Sequence, residues 1–501
     1  MVSKVKSYAT YGIKAVQVLV EVDLIRGLPG VSIVGLPDSA VKESKERVKS
    51  ALINSGYPFP LKKVVINLAP ADLKKEGTVY DLPLALGILA SAGILRTESL
   101  DDYLIAGELG LGGELHPVKG VLSAALLVKE LSLKGLLVPK ANAEEALLID
   151  GIDVIPLSNL KEAVDFLNGE IKIEPFKGSS VSSSTLNFSV DMADVVGQFH
   201  AKRALEIAAA GRHNVFMVGP PGSGKTMLAR RLPTIMPPMT KEEIIETSQV
   251  YSVAGLTSQV PVLTRPFRAP HSTASDASII GGGSVVKPGE VSLAHNGVLF
   301  MDEFPEFKRS VLEALRQPLE DKVVVVSRAS GSYTFPADFL LVAASNPCPC
   351  GYYGFSDGKN YCRCSPVQVK RYRSKLSGPI MDRIDIKVSV PAVKPEDFKN
   401  SSSEPSSRIR ERVMEAYEVQ KRRFRGLKIS FNGQMGRREI KKFCILTSEA
   451  EELLVSAVNS MGLSARSYDR ILKLARTIAD LELSEKIEES HVAEALSYRD
   501  V

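Results

Sequence analysis

Gly219-Pro220-Pro221-Gly222-Ser223-Gly224-Lys225-Thr226 puts three glycines, an ammonium and two hydroxyls within eight residues. Glycines let backbone N–H groups turn inward around an anion, and a helix opening at Lys225 would add its partial positive charge. Lys225 suits β- and γ-phosphates, and the Thr226 hydroxyl suits Mg²⁺. The spacing G-x-x-x-x-G-K-[ST] therefore points to ATP and Mg²⁺ as ligands. Downstream, GVLFMDE carries an apolar run into Asp302-Glu303. Asp302 at a strand end would hold Mg²⁺ through water, and Glu303 would orient the attacking water and accept its proton. An acidic pair after hydrophobics says little alone; the loop upstream gives it meaning.

FLLVAASN sets the Asn346 amide at the tip of another apolar run. There it either holds the attacking water or simply ends a strand, and spacing does not decide. Arg383 in Asp382-Arg383-Ile384-Asp385 and Arg466 in Ser464-Ala465-Arg466 read, by spacing alone, as ordinary surface arginines.

Of five cysteines, Cys348, Cys350, Cys362 and Cys364 fall together as C-x-C, eleven residues, C-x-C. Four thiolates close a tetrahedral Zn²⁺ site of the structural kind, with no position left for water. Four reduced structural cysteines, or disulfides in an oxidising setting, are the alternatives. The odd count and tight clustering in 501 residues fit a reduced, cytoplasmic protein better than a secreted disulfide framework. Cys444 stands alone and reads as a small buried hydrophobe.

The elements that must position these groups are legible as periods. Asn214–Val218, Gly297–Met301 and Phe339–Ala344 are short, unalternating runs expected of buried parallel strands, and Lys225–Ile235 of a helix. Ahead of them, alternation predicts strands over Val16–Asp23 and Lys63–Leu68, with helices over Ser39–Ser55 and Leu82–Ala92. Val323–Ser327 and Tyr333–Phe335 flank a Ser-Gly turn and predict a hairpin with Arg328 near its tip. Beyond the second polar break, Ile471, Leu474, Ala475, Ile478 and Ala479 recur at helical spacing. The breaks are KGSSVSSST from Lys177 and KPEDFKNSSSEPSS from Lys394. They divide the chain into an α+β segment (1–176), a linker (177–188), an α/β core (189–394) and an all-α segment (395–501).

Hydrophobic residues at 44% and charged residues at 24% exclude a disordered or fibrous chain. No apolar run reaches membrane-spanning length, and the first residues alternate rather than forming a secretory core. A net charge of +5 is too mild to imply nucleic acid by itself. Locally, Arg408 to Lys442 holds twelve Lys/Arg against four Glu. A second basic set, Arg363, Lys370, Arg371, Arg373 and Lys375, interleaves with Tyr352, Tyr353, Tyr361 and Tyr372. Basic groups neutralise phosphates and aromatics stack on unpaired bases; any one run reads as a solvated helix face, and the two sets together point toward nucleic acid.

In their order, these motifs resemble those of AAA+ ATPases, and in detail the Mg-chelatase-related branch of ComM/YifB type. The stretches GPPGSGKTMLARRLPTIMPPM, FRAPHSTASDASIIGGG, LFMDEFPEF, NPCPCGYYG and YRSKLSGPIMDRIDI carry the likeness, which spans essentially the whole chain. It implies a homo-oligomeric ring, usually a hexamer. It makes Asn346 the first sensor, Arg383 the arginine finger acting in trans, and Arg466 a second sensor on a helical lid. It implies DNA translocation in branch migration, with a chelatase-like protein-remodelling motor as the alternative. By the same likeness the pre-sensor hairpin carries Arg328 toward the ring pore, and the 265–289 insert lines that pore as well. Residues 1–176 resemble a Lon-protease-like domain. However, Glu76-Gly-Thr-Val-Tyr-Asp81 lacks the nucleophilic serine and Leu122 stands where the base belongs, with Lys119 three residues early. Peptide hydrolysis is therefore not expected.

Overall fold

The computed structural model describes residues 2–178, 188–283, 285–328, 331–355, 360–392 and 403–499. Residues 179–187 of the expected linker and 393–402 of the second polar break lie outside that set. Among the described residues, no helix is long and apolar enough to cross a membrane.

Alternation makes Ser3–Tyr11 and Lys14–Ile25 an antiparallel pair, with Val5, Val18, Val20 and Val22 turned inward. Lys63–Ala69 and Gly30–Val34 extend the sheet, the last two running parallel. The helix Asp81–Ser91 lies against this sheet with every residue from Asp81 to Ala90 buried, which is why DLPLALGILA shows no polar face. A second, parallel sheet of Tyr103–Ile105, Gly135–Pro139 and Asp153–Leu157 completes the unit. One apolar core runs from Val5 to Leu167.

The following unit is built on five parallel strands in the order Phe267–Arg268, Val298–Met301, Leu340–Ser345, Val215–Val218, Ile386–Ser389. Both faces of its middle strands are covered, as unalternating runs require. Val215, Met217, Val298, Phe300, Leu340 and Val342 face one core, while Phe216, Val218, Leu299, Met301, Leu341 and Ala343 face the other. The predicted hairpin is present as Val323–Arg328 and Gly331–Pro336, with Arg328 exposed opposite Gly331. The short pair Gly281–Gly282 and Lys287–Pro288 lies beside it.

Residues 403–499 form the helices Ser406–Arg423, Arg437–Phe443, Ser448–Met461, Ala465–Leu481 and Glu489–Ser497. The predicted stripe Ile471, Leu474, Ala475, Ile478 and Ala479 is buried. It shares one core with helix Phe199–Gly211 and with the sheet face that bears Val215. These helices therefore bury their apolar stripes on the nucleotide unit. Cys444 sits in that core, 7% exposed, as a small hydrophobe should.

The N-terminal unit packs on the opposite side. Helix Val121–Glu130 lies along helix Lys241–Ala254, Ser252 Oγ donates to the buried Glu145 carboxylate, and Lys241 pairs with Asp150. Ile13 enters the apolar layer under the hairpin, and Tyr11 packs on Tyr333 with ring centroids 4.7 Å apart.

Candidate nucleotide site

In open parallel sheets, ligands bind outside the carboxyl ends of the strands. Here Val215–Val218 and Leu340–Ser345 run side by side, so the 219–226 turn and Asn346 emerge at the same end. Gly224 holds φ +93°, a left-handed conformation that a side chain would strain, and helix Lys225–Ile235 starts immediately after it. The turn therefore aims its N–H groups and the helix terminus into the crevice.

Lys225 is buried, and its Nζ donates to the carbonyls of Gly219 (2.7 Å) and Pro220 (2.9 Å) and to Asn346 Oδ1 (3.4 Å). Burial lowers its pKa, with Asp302 opposing that shift. Thr226 Oγ1 donates to Asp302 Oδ2 at 2.8 Å. A hydroxyl and a carboxylate meeting at the mouth of the turn are suitable donors for a hard, oxygen-seeking cation such as Mg²⁺. Glu303 follows Asp302 with φ +51° and is exposed. A non-glycine residue in that region costs on the order of 1–3 kcal/mol and marks a constrained position. Lys225, Thr226, Asp302 and Asn346 are thus brought together, with Glu303 adjacent.

Arg383 and Arg466 are not part of that group. The residues around Arg383 join the sheet at its other end: Asp385 N donates to Asn214 O, and Asn214 Nδ2 to Arg383 O at 3.0 Å. A four-residue strand spans roughly 13 Å, so Arg383 and its own 219–226 turn lie at opposite edges of the sheet. Its guanidinium donates to Pro379 O and pairs with Glu320 at 2.5 Å. Arg466 is exposed on the first turn of helix Ala465–Leu481, and its charge also acts on Glu320. Arg470 of the same helix reaches Asp385 at 3.8 Å.

The four cysteine sulfurs gather within 4.8 Å of one another, with Cys348–Cys350 at 3.3 Å, Cys348–Cys362 at 3.8 Å and Cys350–Cys362 at 3.7 Å. A tetrahedral zinc with bonds of about 2.3 Å separates its sulfurs by about 3.8 Å, so the donor set fits zinc. Backbone N–H groups of Tyr352 and Arg363 lower the Cys350 thiol to about 6. Cys364 accepts a backbone hydrogen bond from Cys350, yet burial and the neighbouring thiols push it up to about 12. Four thiolates together need a cation.

One contributor has no motif to mark it. Gln198 Nε2 ties Ser223 O (3.2 Å) to Pro391 O (2.6 Å), clamping the turn from outside. Lys375 bonds Glu306 at 2.9 Å and lies over the ring of the buried Tyr372, 5.4 Å from its centre. Lys375 and Tyr372 belong to the set expected to meet nucleic acid, and here both have partners within the chain. Of the basic run 408–442, Arg410, Arg412 and Arg423 are half-buried and engaged within the chain, bonding Thr234 O, Glu206 with Glu404, and Asp480. Lys421, Arg422, Arg425 and Lys428 are exposed. Of the second basic set, Arg363 covers Tyr361 and Arg373 covers Tyr353, each 5.2 Å from the ring centre. His295 is a structural residue, facing Glu246 and accepting from Asp338 N. In the N-terminal unit, Val79, Tyr80 and Leu122 are buried, and the Lys119 side chain runs against Gly255 of the nucleotide unit.

The strand order, the glycine turn at its carboxyl edge and the attached helices fit an AAA+-like core. Comparison with known proteins agrees. Residues 191–398 match the family described as Magnesium chelatase, subunit ChlI; residues 20–142 match Subunit ChlI of Mg-chelatase, and 403–499 match its C-terminal family. Competence protein ComM of Haemophilus influenzae is 45% identical over 502 residues, covering 99% of this chain and 97% of that protein. YifB of Escherichia coli, an uncharacterized protein, is 44% identical over 99% of this chain and 97% of its own length. A remote similarity, 23% identity over 57% of this chain and 32% of the other, extends to the DNA replication licensing factor mcm-6 of Caenorhabditis briggsae. The chain belongs to the ComM/YifB-type, Mg-chelatase-related family, and that membership points to an ATPase.

Proposed function

We propose that this chain is a ring-forming, Mg²⁺-dependent ATPase that couples hydrolysis to DNA translocation, acting in branch migration during DNA uptake or recombination. One observation carries the ring: the groups for holding nucleotide and the arginines for stabilising its reaction lie at opposite edges of one sheet. Each site is then completed by a neighbour. Lys225 exchanges the Gly219 and Pro220 carbonyls for β- and γ-phosphate oxygens. Thr226 and Asp302 would hold Mg²⁺, which supplies charge neutralisation between the phosphates. Glu303 takes the proton of the attacking water, and Asn346 positions that water. Arg383 of the next subunit, with Arg466 beside it, stabilises the charge that develops on the leaving phosphates. The four cysteines hold a structural zinc.

The 1–176 unit is a Lon-like domain without a dyad, a platform rather than a protease. The helices of 395–501 serve as the lid. DNA as partner is supported by the exposed arginine–tyrosine surface at Tyr353 and Tyr361, by Arg328 on its hairpin, and by what the names of ComM and mcm-6 say of those relatives. A chelatase-like motor acting on protein is favoured by the three family matches described as ChlI.

The deciding experiment is steady-state ATPase with single-stranded, duplex and forked DNA, at concentrations that permit assembly. Stimulation by DNA together with movement of a labelled branch point is expected. ATPase that ignores every DNA would sink the translocase and leave the protein-remodelling motor.

A further inference from the structure

The cysteine cluster is fastened to the nucleotide site at three places. Cys348 follows Asn346 by two residues, directly after the strand Leu340–Ser345. On the far side of the cluster, helix Pro366–Arg373 returns Tyr372 to Ser345 at the end of that same strand. Between these anchors, Gly351 lies on the phosphate-binding turn itself. A Cβ added there would stand 2.6 Å from Pro221 Cδ, and Gly351 also holds φ +89°. A proline ring has little freedom to yield, so this is rigid contact between the Cys348–Cys350 loop and the turn.

We infer that the metal-loaded cysteine knot is the brace of the nucleotide site: it presses Gly351 on Pro221 and sets Asn346, so metal occupancy controls nucleotide affinity. The inference rests on the zinc reading above. The knot's reach follows from chain geometry. Cys362 and Cys364 hold the Cys348–Cys350 loop only while all four sulfurs share one ion. Without that ion nothing shared ties Cys362 and Cys364 to the Cys348–Cys350 loop, whose bond from Gly351 N to Cys348 O at 3.0 Å lies within the loop itself. Residues 219–224 would lose the wall against which they turn. Lys225 and Thr226 remain on their helix, so the loss falls on the loop's N–H cradle and on Asn346.

The test uses the full chain in three forms: zinc-loaded, stripped by a mercurial and chelator, and Cys362→Ser. Metal is counted by mass spectrometry, and nucleotide binding is read with N-methylanthraniloyl-ATP. Gly351→Ala is measured alongside, because it alters the contact while leaving every sulfur in place. We expect one zinc per loaded chain, a tenfold or greater loss of affinity on stripping, and recovery when zinc is returned. Gly351→Ala should keep its zinc and lose affinity several-fold, with unchanged helical circular dichroism. One zinc per chain with affinity indifferent to its removal and to Gly351→Ala would overturn the brace while the zinc reading stands. No zinc in the freshly purified protein, with normal affinity, would overturn the zinc reading and the brace with it.

Discussion

At the carboxyl ends of the central strands Thr226 meets Asp302, Lys225 meets Asn346, and the turn between them is held by backbone carbonyls and by Gln198. At the amino ends of the same strands the contacts are ionic. Arg383 pairs with Glu320, Arg212 with Asp338, and Asp385 with His213 and Arg470. One edge is a nearly finished site built within a single chain. The other is a set of charges held in place, with Arg383 at the far end of the sheet from its own 219–226 turn. A half-site of each kind on every chain is what a ring requires, and the contrast defines experiments that break or sharpen it.

The largest effect belongs to the arginine edge. Arg383→Ala should lower hydrolysis by about a thousandfold or more at ring-forming concentrations while nucleotide still binds. Mixing it with Lys225→Ala, which is inactive for the opposite reason, should restore part of the activity, because some interfaces then carry both intact halves. Mixtures as dead as their components would mean the arginine does not act across an interface. Next comes the nucleotide edge. Glu303→Gln should cut turnover about 10²–10⁴-fold with ATP affinity preserved, since it removes the proton acceptor and leaves every phosphate contact. Single-turnover kinetics separate the two, and a parallel loss of binding would assign Glu303 to the cradle instead.

A smaller effect tests how the arginine edge is held. Burial opposes the charge of Asp338, but Arg212 and Lys322 beside it bring its carboxyl down to about 2. A carboxylate depressed on folding stabilises above its unfolded pKa near 4, and that stability is lost as pH falls toward 2. The contribution is about 2 kcal/mol. Asp338→Asn should therefore unfold at lower urea than wild type at pH 7, with the gap closing on acidification. Curves that stay parallel down to pH 2 would falsify the assignment. The smallest effect is that of Glu320→Gln. An exposed partner contributes at most about 1 kcal/mol, so freeing Arg383 should raise assembled-ring turnover no more than about fivefold. A thousandfold loss instead would make Glu320 part of the chemistry.

Local chemistry was readable from residues in order. The 219–226 turn, the helix Lys225–Ile235 and the buried strands follow from glycine placement and apolar period, which act over a few residues. The predicted core stripe of Ala465–Leu481 is buried as expected. Asp302 could be assigned from its place downstream of the turn, but Asn346 only through a resemblance, because spacing along the chain carries no strand order.

What the sequence by itself determined is therefore the set of chemical groups and the elements that carry them. Tertiary structure alone decided which edge of the sheet each group occupies, and it placed Arg383 away from its own turn. It also put Gly351 on Pro221, Gln198 across Ser223, and the C-terminal helices in the core of the nucleotide sheet. The physical reason is reach. Turns and periods arise from interactions within a few residues, whereas strand order and interlocking packing are settled by how separate apolar faces cover one another across more than a hundred residues of chain.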